Sequence, residues 1–347
     1  MIPRSAPSRI VCLKKSAKNW QELYADAITD PAELLELLDL PESLLPAIRQ
    51  AASQFGLRIP RSYLSRIKAG DITNPILRQY LPIGDELHAY EGYDNDPVGD
   101  INAMPVEGLL HKYTGRVLLV TTAACAVHCR YCFRRHFPYG DASLSQEKIA
   151  QAINYIHKNT SLSEVILSGG DPLSLSDEKL ETLIRQLSQV EHIKRLRIHT
   201  RLPVVIPERI TAHLLDTLAQ TDLDIVMVIH VNHPDEIDDT LASSLNALQA
   251  KHITLLNQSV LLKGVNDDIE VLRELSEKLF SCGVSPYYLH MLDKVSGAGH
   301  FEVDEKTALA LYDNLCRRLS GYLVPKLVRE EKGQPYKVSL SLFEKVT

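Results

Sequence analysis

The chain has 347 residues, 45% hydrophobic and 24% charged, with 38 Lys and Arg against 44 Asp and Glu and a formal charge of −6. That composition excludes a mainly disordered chain, and the acidic balance argues against nucleic acid as a partner, since no overall positive field draws in a polyanion. No apolar run approaches the ~18 residues of a membrane span and the first twenty residues hold no secretory-type apolar stretch, so no membrane contact is expected and the compartment expected is cytoplasmic.

In chain order, residues 1–95 read as an N-terminal helical region. Leucines crowd positions 34–45, with Asp30 placed as an N-cap and Pro31 in the first turn. Pro41 should split this stretch into two short helices. Residues 90–100, acidic and turn-rich, read as a linker. From residue 116 short apolar runs alternate with amphipathic stretches. Strands are expected over 116–122, 164–167, 195–199, 224–229, 253–256 and 285–289, with helices starting near Ser145, Asp177, Glu208, Pro234 and Asn266. Six β-α units in series imply an α/β fold with a parallel sheet, a partial (βα)6 barrel over residues 96–330. Residues 331–347 form a C-terminal segment.

Chemistry in such barrels gathers at the C-terminal strand ends. Here every end carries polar groups: three cysteines after the first strand and Ser168-Gly169-Gly170-Asp171 after the second. His199-Thr-Arg201 follows the third, His230 and Asn232 the fourth, Asn257-Gln258-Ser259 the fifth, and His290 with Asp293 the sixth. One shared pocket is the expectation.

Of six cysteines, Cys12, Cys282 and Cys316 stand alone and are expected to be buried as small apolar groups. The others form Cys125-Ala-Val-His-Cys129-Arg-Tyr-Cys132. Three thiolates at this spacing can wrap one face of a [4Fe–4S] cluster and leave one iron for an outside ligand. The alternative is zinc, with His128 or His136 as fourth ligand, although no second Cys/His pair follows.

The C-x3-C-x2-C spacing resembles the signature of the radical S-adenosylmethionine (radical SAM) superfamily. There the open iron is chelated by S-adenosylmethionine, whose reductive cleavage gives a 5′-deoxyadenosyl radical. Ser168-Gly169-Gly170-Asp171-Pro172 resembles the superfamily's Gly-Gly-acidic turn. Its glycines would admit the ligand backbone-close, and the Asp171 carboxylate or nearby carbonyls would take the methionine ammonium. Cys129-Arg-Tyr-Cys-Phe-Arg-Arg-His136 and the blocks at 201–209, 230–234, 256–262 and 286–293 resemble the lysine 2,3-aminomutases over most of residues 100–340. The short chain, Asn19-Trp-Gln21 and the run on to Tyr139 resemble the bacterial branch that makes (R)-β-lysine for modifying elongation factor P.

This resemblance implies an isomerase that also uses pyridoxal 5′-phosphate, because nitrogen must migrate between adjacent carbons through a radical. A lysine near the C-terminus would carry that cofactor as a Schiff base. Lys337 is the candidate and Lys332 the rival, with the family's glycine-rich approach reduced to Gly333 and Pro335. Arg116 and Tyr113 match the stretch that binds the phosphate and ring. Arg134 matches the carboxylate-binding arginine, and Asp293 and Glu330 match acidic anchors for the side-chain ammonium. His230 and Gln258 resemble contacts to S-adenosylmethionine. The partners implied are L-lysine as a small-molecule substrate, an external electron donor, elongation factor P with its lysyl ligase and, by the family's habit, a second copy as a homo-oligomer. The competing readings are a radical enzyme acting on glutamate or RNA, and a non-enzymatic metal-bearing scaffold for a translation partner.

Overall fold

The computed structural model describes residues 18–139 and 145–340. Helix α1 (Trp20–Ala25) begins at Asn19, which exchanges capping hydrogen bonds with Glu22. Helix α2 (Pro31–Leu37) starts as expected, with the Asp30 carboxylate accepting from the Ala32 N–H and Pro31 in the first turn. Beyond Pro41 a 3-10 turn (Glu42–Leu44) leads into α3 (Leu45–Gln54), so the proline does separate two helices. Strands β1 (Ala27–Ile28) and β2 (Ile59–Pro60) form a small antiparallel pair, and α4 (Pro75–Arg78) follows.

The main sheet runs in strict chain order. It comprises β3 (Leu109–Tyr113), β4 (Arg116–Thr122), β5 (Glu164–Gly169), β6 (Arg195–Thr200), β7 (Asp224–Ile229), β8 (Thr254–Val260), β9 (Ser285–His290), β10 (Lys326–Arg329) and β11 (Val338–Ser339). Strands β4 to β10 are parallel, while β3 and β11 pair antiparallel on the two edges. The six expected strands are present in an open α/β barrel. The parallel β10 is an addition: Lys-Leu-Val-Arg buries only Leu327 and Val328 and offers no readable period.

Helices α5 (Gln146–Lys158), α6 (Asp177–Ser188), α7 (Leu202–Val205), α8 (Ala212–Ala219), α9 (Asp239–Gln249), α10 (Ile269–Ser281) and α11 (Glu305–Arg318) fill the crossovers. On α6, Leu180, Leu183, Ile184 and Leu187 form the buried stripe of a 3.6-residue period. Each such side chain contributes about 1.5–3 kcal/mol when fully buried. One core runs from Trp20, Leu34 and Tyr63 through Leu77 to Val117, Val165 and Leu196, so the N-terminal helices share a core with the barrel.

Three local expectations need correction. Residues 90–100 are turn-rich but not a free linker. Asp94 exchanges backbone hydrogen bonds with Lys294 and Ser296 (3.0 and 2.9 Å), and Asp100 is 2% exposed. Asn257, Gln258 and Ser259 lie inside β8 rather than after it. Polar Asn257 and Ser259 sit on its buried face because both bond the Val231 backbone at the end of β7. Cys282 is buried, but Cys316 is exposed, next to the buried Leu315 on α11. Cys12 lies outside the described residues.

Candidate active site

A cavity of about 680 Å³ opens among the C-terminal strand ends. Its wall includes Cys125, Cys129 and Cys132, all as free thiols. Burial pushes all three thiols up, Cys132 to about 11, so only a bound cation would hold them as thiolates near neutrality.

Neighbouring arginines fix this loop. Arg130 donates through Nε and Nη2 to the Glu86 carboxylate (2.8 and 2.6 Å), and Arg135 donates to the same group at 2.8 Å. Glu86 is 2% exposed and Arg130 fully buried. Arg130 also donates to the Phe55 and Gly56 carbonyls, which bolts the loop to the N-terminal region. His128 stacks on Phe55 and shares Nδ1 with the Gly56 carbonyl, while His136 is bonded to the Ser296 carbonyl. Among the described residues no three His, Cys, Asp or Glu side chains converge as a single zinc ion requires.

The Gly-Gly-Asp turn presses on the start of the same loop. A Cβ on Gly170 would lie 2.5 Å from the Ala124 carbonyl oxygen, and one on Gly169, at φ +120°, 2.9 Å from that of Thr122. The glycines therefore admit the loop's own backbone. Asp171 also departs from expectation. Its Oδ1 accepts from Leu173 N and Thr200 Oγ1 (3.0 and 2.6 Å), and its Oδ2 from Arg201 N and Leu202 N (2.7 and 2.8 Å). Four donors use the lone pairs of a carboxylate, so the side chain has no room for a ligand ammonium. Asp171 joins β5 to the end of β6 instead.

His230 and Gln258 both line the cavity. The His230 Nε2 lies 3.4 Å from His199 Nδ1. Burial, then the Arg201 charge, hold His230 down to about 3, and His199 is likewise depressed, so both rings are neutral. The Arg116 guanidinium stacks 4.5 Å over the Tyr113 ring.

The remaining expected residues form one charged chain on the cavity wall. Arg134 donates through Nε to Asp100 (2.7 Å) and through Nη1 to Ser168 (3.1 Å). Lys112 bridges Asp100 (2.5 Å) and Glu330 (3.1 Å), and Lys337 donates to the other oxygen of Glu330 at 2.6 Å. Burial pushes the Glu330 carboxyl up, but Lys337 and Lys112 outweigh it and hold it at about 2. For Asp293, burial and then the Glu330 charge dominate, and its carboxyl stands at about 7. Lys337 lines the cavity, whereas Lys332 is exposed and paired with Asp94. Sequence reasoning missed Lys112, though it adjoins Tyr113, and Asp100, which sat in the supposed linker; Glu86 carried no local signal.

Residues 119–276 match the model of the Radical SAM superfamily. The chain is 47% identical over 323 residues to the L-lysine 2,3-aminomutase of Haemophilus influenzae, covering 93% of this chain and 96% of that one. It is 47% identical over 328 residues to the Escherichia coli protein of the same name, covering 94% and 96%. Against the L-lysine 2,3-aminomutase of Clostridium subterminale it is 35% identical, covering 91% and 76%. The chain belongs to the lysine 2,3-aminomutase family. It is therefore a radical SAM isomerase, a family that implies a [4Fe–4S] cluster and S-adenosylmethionine. The donor set fits: three thiols share one cavity wall beside a turn pressed close by two glycines.

Proposed function

We propose that this aminomutase converts free L-α-lysine to β-lysine, in the R form, with pyridoxal 5′-phosphate as its further cofactor. The observation that carries the reading is Lys337 in the same cavity as the three cysteines, flanked by Glu330, Asp293 and Arg134. Two carboxylates there would repel the second carboxylate of glutamate and suit a side-chain ammonium. Arg134, with Nε on Asp100 and Nη1 on Ser168, would take the substrate carboxylate through the remaining N–H groups of its guanidinium.

Cys125, Cys129 and Cys132 would hold the cluster, and S-adenosylmethionine on it would supply the carbon radical. Ser168, Gly169, Gly170, His230 and Gln258 would line its site, with Asp171 positioning the turn. Pyridoxal phosphate would hold the migrating nitrogen and spread the unpaired electron. Lys337 would carry it, Arg116 would pair with its phosphate, and Tyr113 would back its ring. Asp293 and Glu330 would anchor the ε-ammonium once Lys337 has moved off Glu330. The cavity would have to keep water and reductants from a radical that attacks whatever is nearest.

In this reading residues 1–95 brace the cysteine loop, 96–330 form the reaction chamber and 331–347 deliver Lys337. The product would feed the lysyl ligase that modifies elongation factor P. The enzyme would work in the cytoplasm, take electrons from an external donor, self-associate, and act on neither nucleic acid nor membrane.

Anaerobic incubation with lysine, S-adenosylmethionine, pyridoxal phosphate and a reductant, followed by chiral product analysis, tests this. (R)-β-lysine is expected. No β-lysine from protein carrying about four irons per chain would overturn it.

A further inference from the structure

The two ends of the substrate site, a guanidinium for a carboxylate and carboxylates for an ammonium, are tied together by a lysine that the expected motifs do not use. Lys112 lies on the edge strand β3, where the pairing with β4 shifts register between Leu110 and Tyr113. Consecutive side chains of a regular strand face opposite ways, and the shift lets both Lys112 and Tyr113 line the cavity. The Lys112 Nζ meets three acceptors: the Val98 carbonyl at 2.7 Å, Asp100 Oδ1 at 2.5 Å and Glu330 Oε1 at 3.1 Å. An ammonium has three hydrogens, so none is left for a ligand. Asp100 is itself fixed, its other oxygen taking Arg134 Nε at 2.7 Å and its backbone N–H donating to the Asp96 carboxylate at 2.8 Å. Glu330 follows the last residue of β10, towards the opposite margin of the open sheet from β3. Lys112 thus closes a continuous chain of charges from Arg134 to Glu330 across the open side of the barrel. At the far end Lys337 donates to Glu330 Oε2 at 2.6 Å. When Lys337 leaves, that oxygen has one ammonium's place to fill, and Lys112 still holds the other.

We propose that Lys112 is a positioning residue that sets the distance between Arg134 and Glu330 and so selects a diamino acid of lysine's length over shorter and longer homologues. A Glu330 carboxylate free to turn about its own torsions would follow ammonium groups of different reach. Held by Lys112, its second oxygen stays at one distance from Arg134, and an anchor that cannot move penalises a chain one methylene too short or too long. The inference rests on the proposed reading of Arg134 and Glu330 as substrate anchors. A role in charge balance alone has the opposite signature, since loss of the cation would leave Glu330 more attractive to every ammonium alike.

The test is a calorimetric titration of the full-length enzyme, loaded with cluster, S-adenosylmethionine and pyridoxal phosphate but given no reductant, so that binding is read without turnover. The ligands are L-lysine, L-ornithine, one methylene shorter, and L-homolysine, one methylene longer. Wild type should bind lysine about tenfold or more tightly than either homologue. Lys112→Met keeps the stem and drops the ammonium; it should weaken lysine binding and cut the preference to about threefold or less. Should Lys112→Met fail to fold, Lys112→Gln, which stays polar but is too short to span Asp100 and Glu330, decides in the same way. Equal wild-type affinity for the three ligands, a wild-type preference retained in a folded variant, or tighter binding of all three by that variant would overturn the proposal. Wild-type protein of full iron and pyridoxal phosphate content that binds none of the three would instead sink the substrate reading itself.

Discussion

Lys337 and Asp293 show how far single side chains can be read from spacing. Lys337 and Lys332 are five residues apart in a turn-rich segment, and nothing in the sequence ranks them except resemblance. The fold separates them, since one donates to Glu330 in the cavity and the other to Asp94 outside it. Lys337→Ala should therefore keep full iron content but lose the visible absorbance of bound pyridoxal phosphate, while Lys332→Ala keeps both; absorbance spectra of the two purified variants check this. Asp293 predicts a pH dependence. Its carboxyl stands at about 7, so it gains the charge that attracts an ammonium as pH rises from 6 to 8. The KM for lysine should fall over that range, and Asp293→Asn should flatten the profile. The effect on stability has the opposite sign. The folded chain binds a proton at Asp293 more tightly than the unfolded one, so this group's contribution weakens as pH rises from about 4 to 7. Asp293→Asn should raise stability at pH 8 relative to wild type, by up to about 4 kcal/mol as a ceiling, as measured by denaturant titration.

At the scale of elements, strands announced themselves wherever apolar runs were long. Residues 116–122 and 224–229 match β4 and β7 to the residue. β8 read short because its interior positions carry Asn257 and Ser259, polar groups stabilised by hydrogen bonds to a neighbouring strand end. No local pattern encodes such a partner. The Gly-Gly-Asp turn was legible as a motif and misread in its physics. A bound ligand was expected to need the glycines; the backbone of residues 122–124 needs them first. Gly170→Ala puts a methyl group against Ala124 and Ala123, contacts that cannot relax without moving the cysteine loop. The expected cost is about 1–3 kcal/mol with loss of most bound iron. Thermal unfolding and iron analysis of one preparation measure both.

At the scale of the whole molecule, the sequence divided the chain into a helical part and a barrel, and the structure shows one core running through both. The tie between them is long-range: Glu86 meets Arg130 and Arg135, 44 and 49 residues away. Pairings at that separation leave no mark on periodicity, which is why Glu86 escaped notice although the arginines did not. Glu86→Ala would leave two guanidinium groups buried without their carboxylate. It should cost about 3–5 kcal/mol, against nearly nothing for Glu331→Ala at the surface, as read from denaturant midpoints.

The edge strand β11 begins at Val338, directly after Lys337, and pairs with β10 at Arg329↔Val338 and Val328↔Ser339, with the Leu340 N–H donating to the Leu327 carbonyl. Strands at a sheet margin open far more readily than those in the middle. In the proposed function the Lys337 amine would trade places with an incoming amino acid, and it hangs on the hem of the sheet, where local loosening of the chain would leave the cysteine-bearing wall in place.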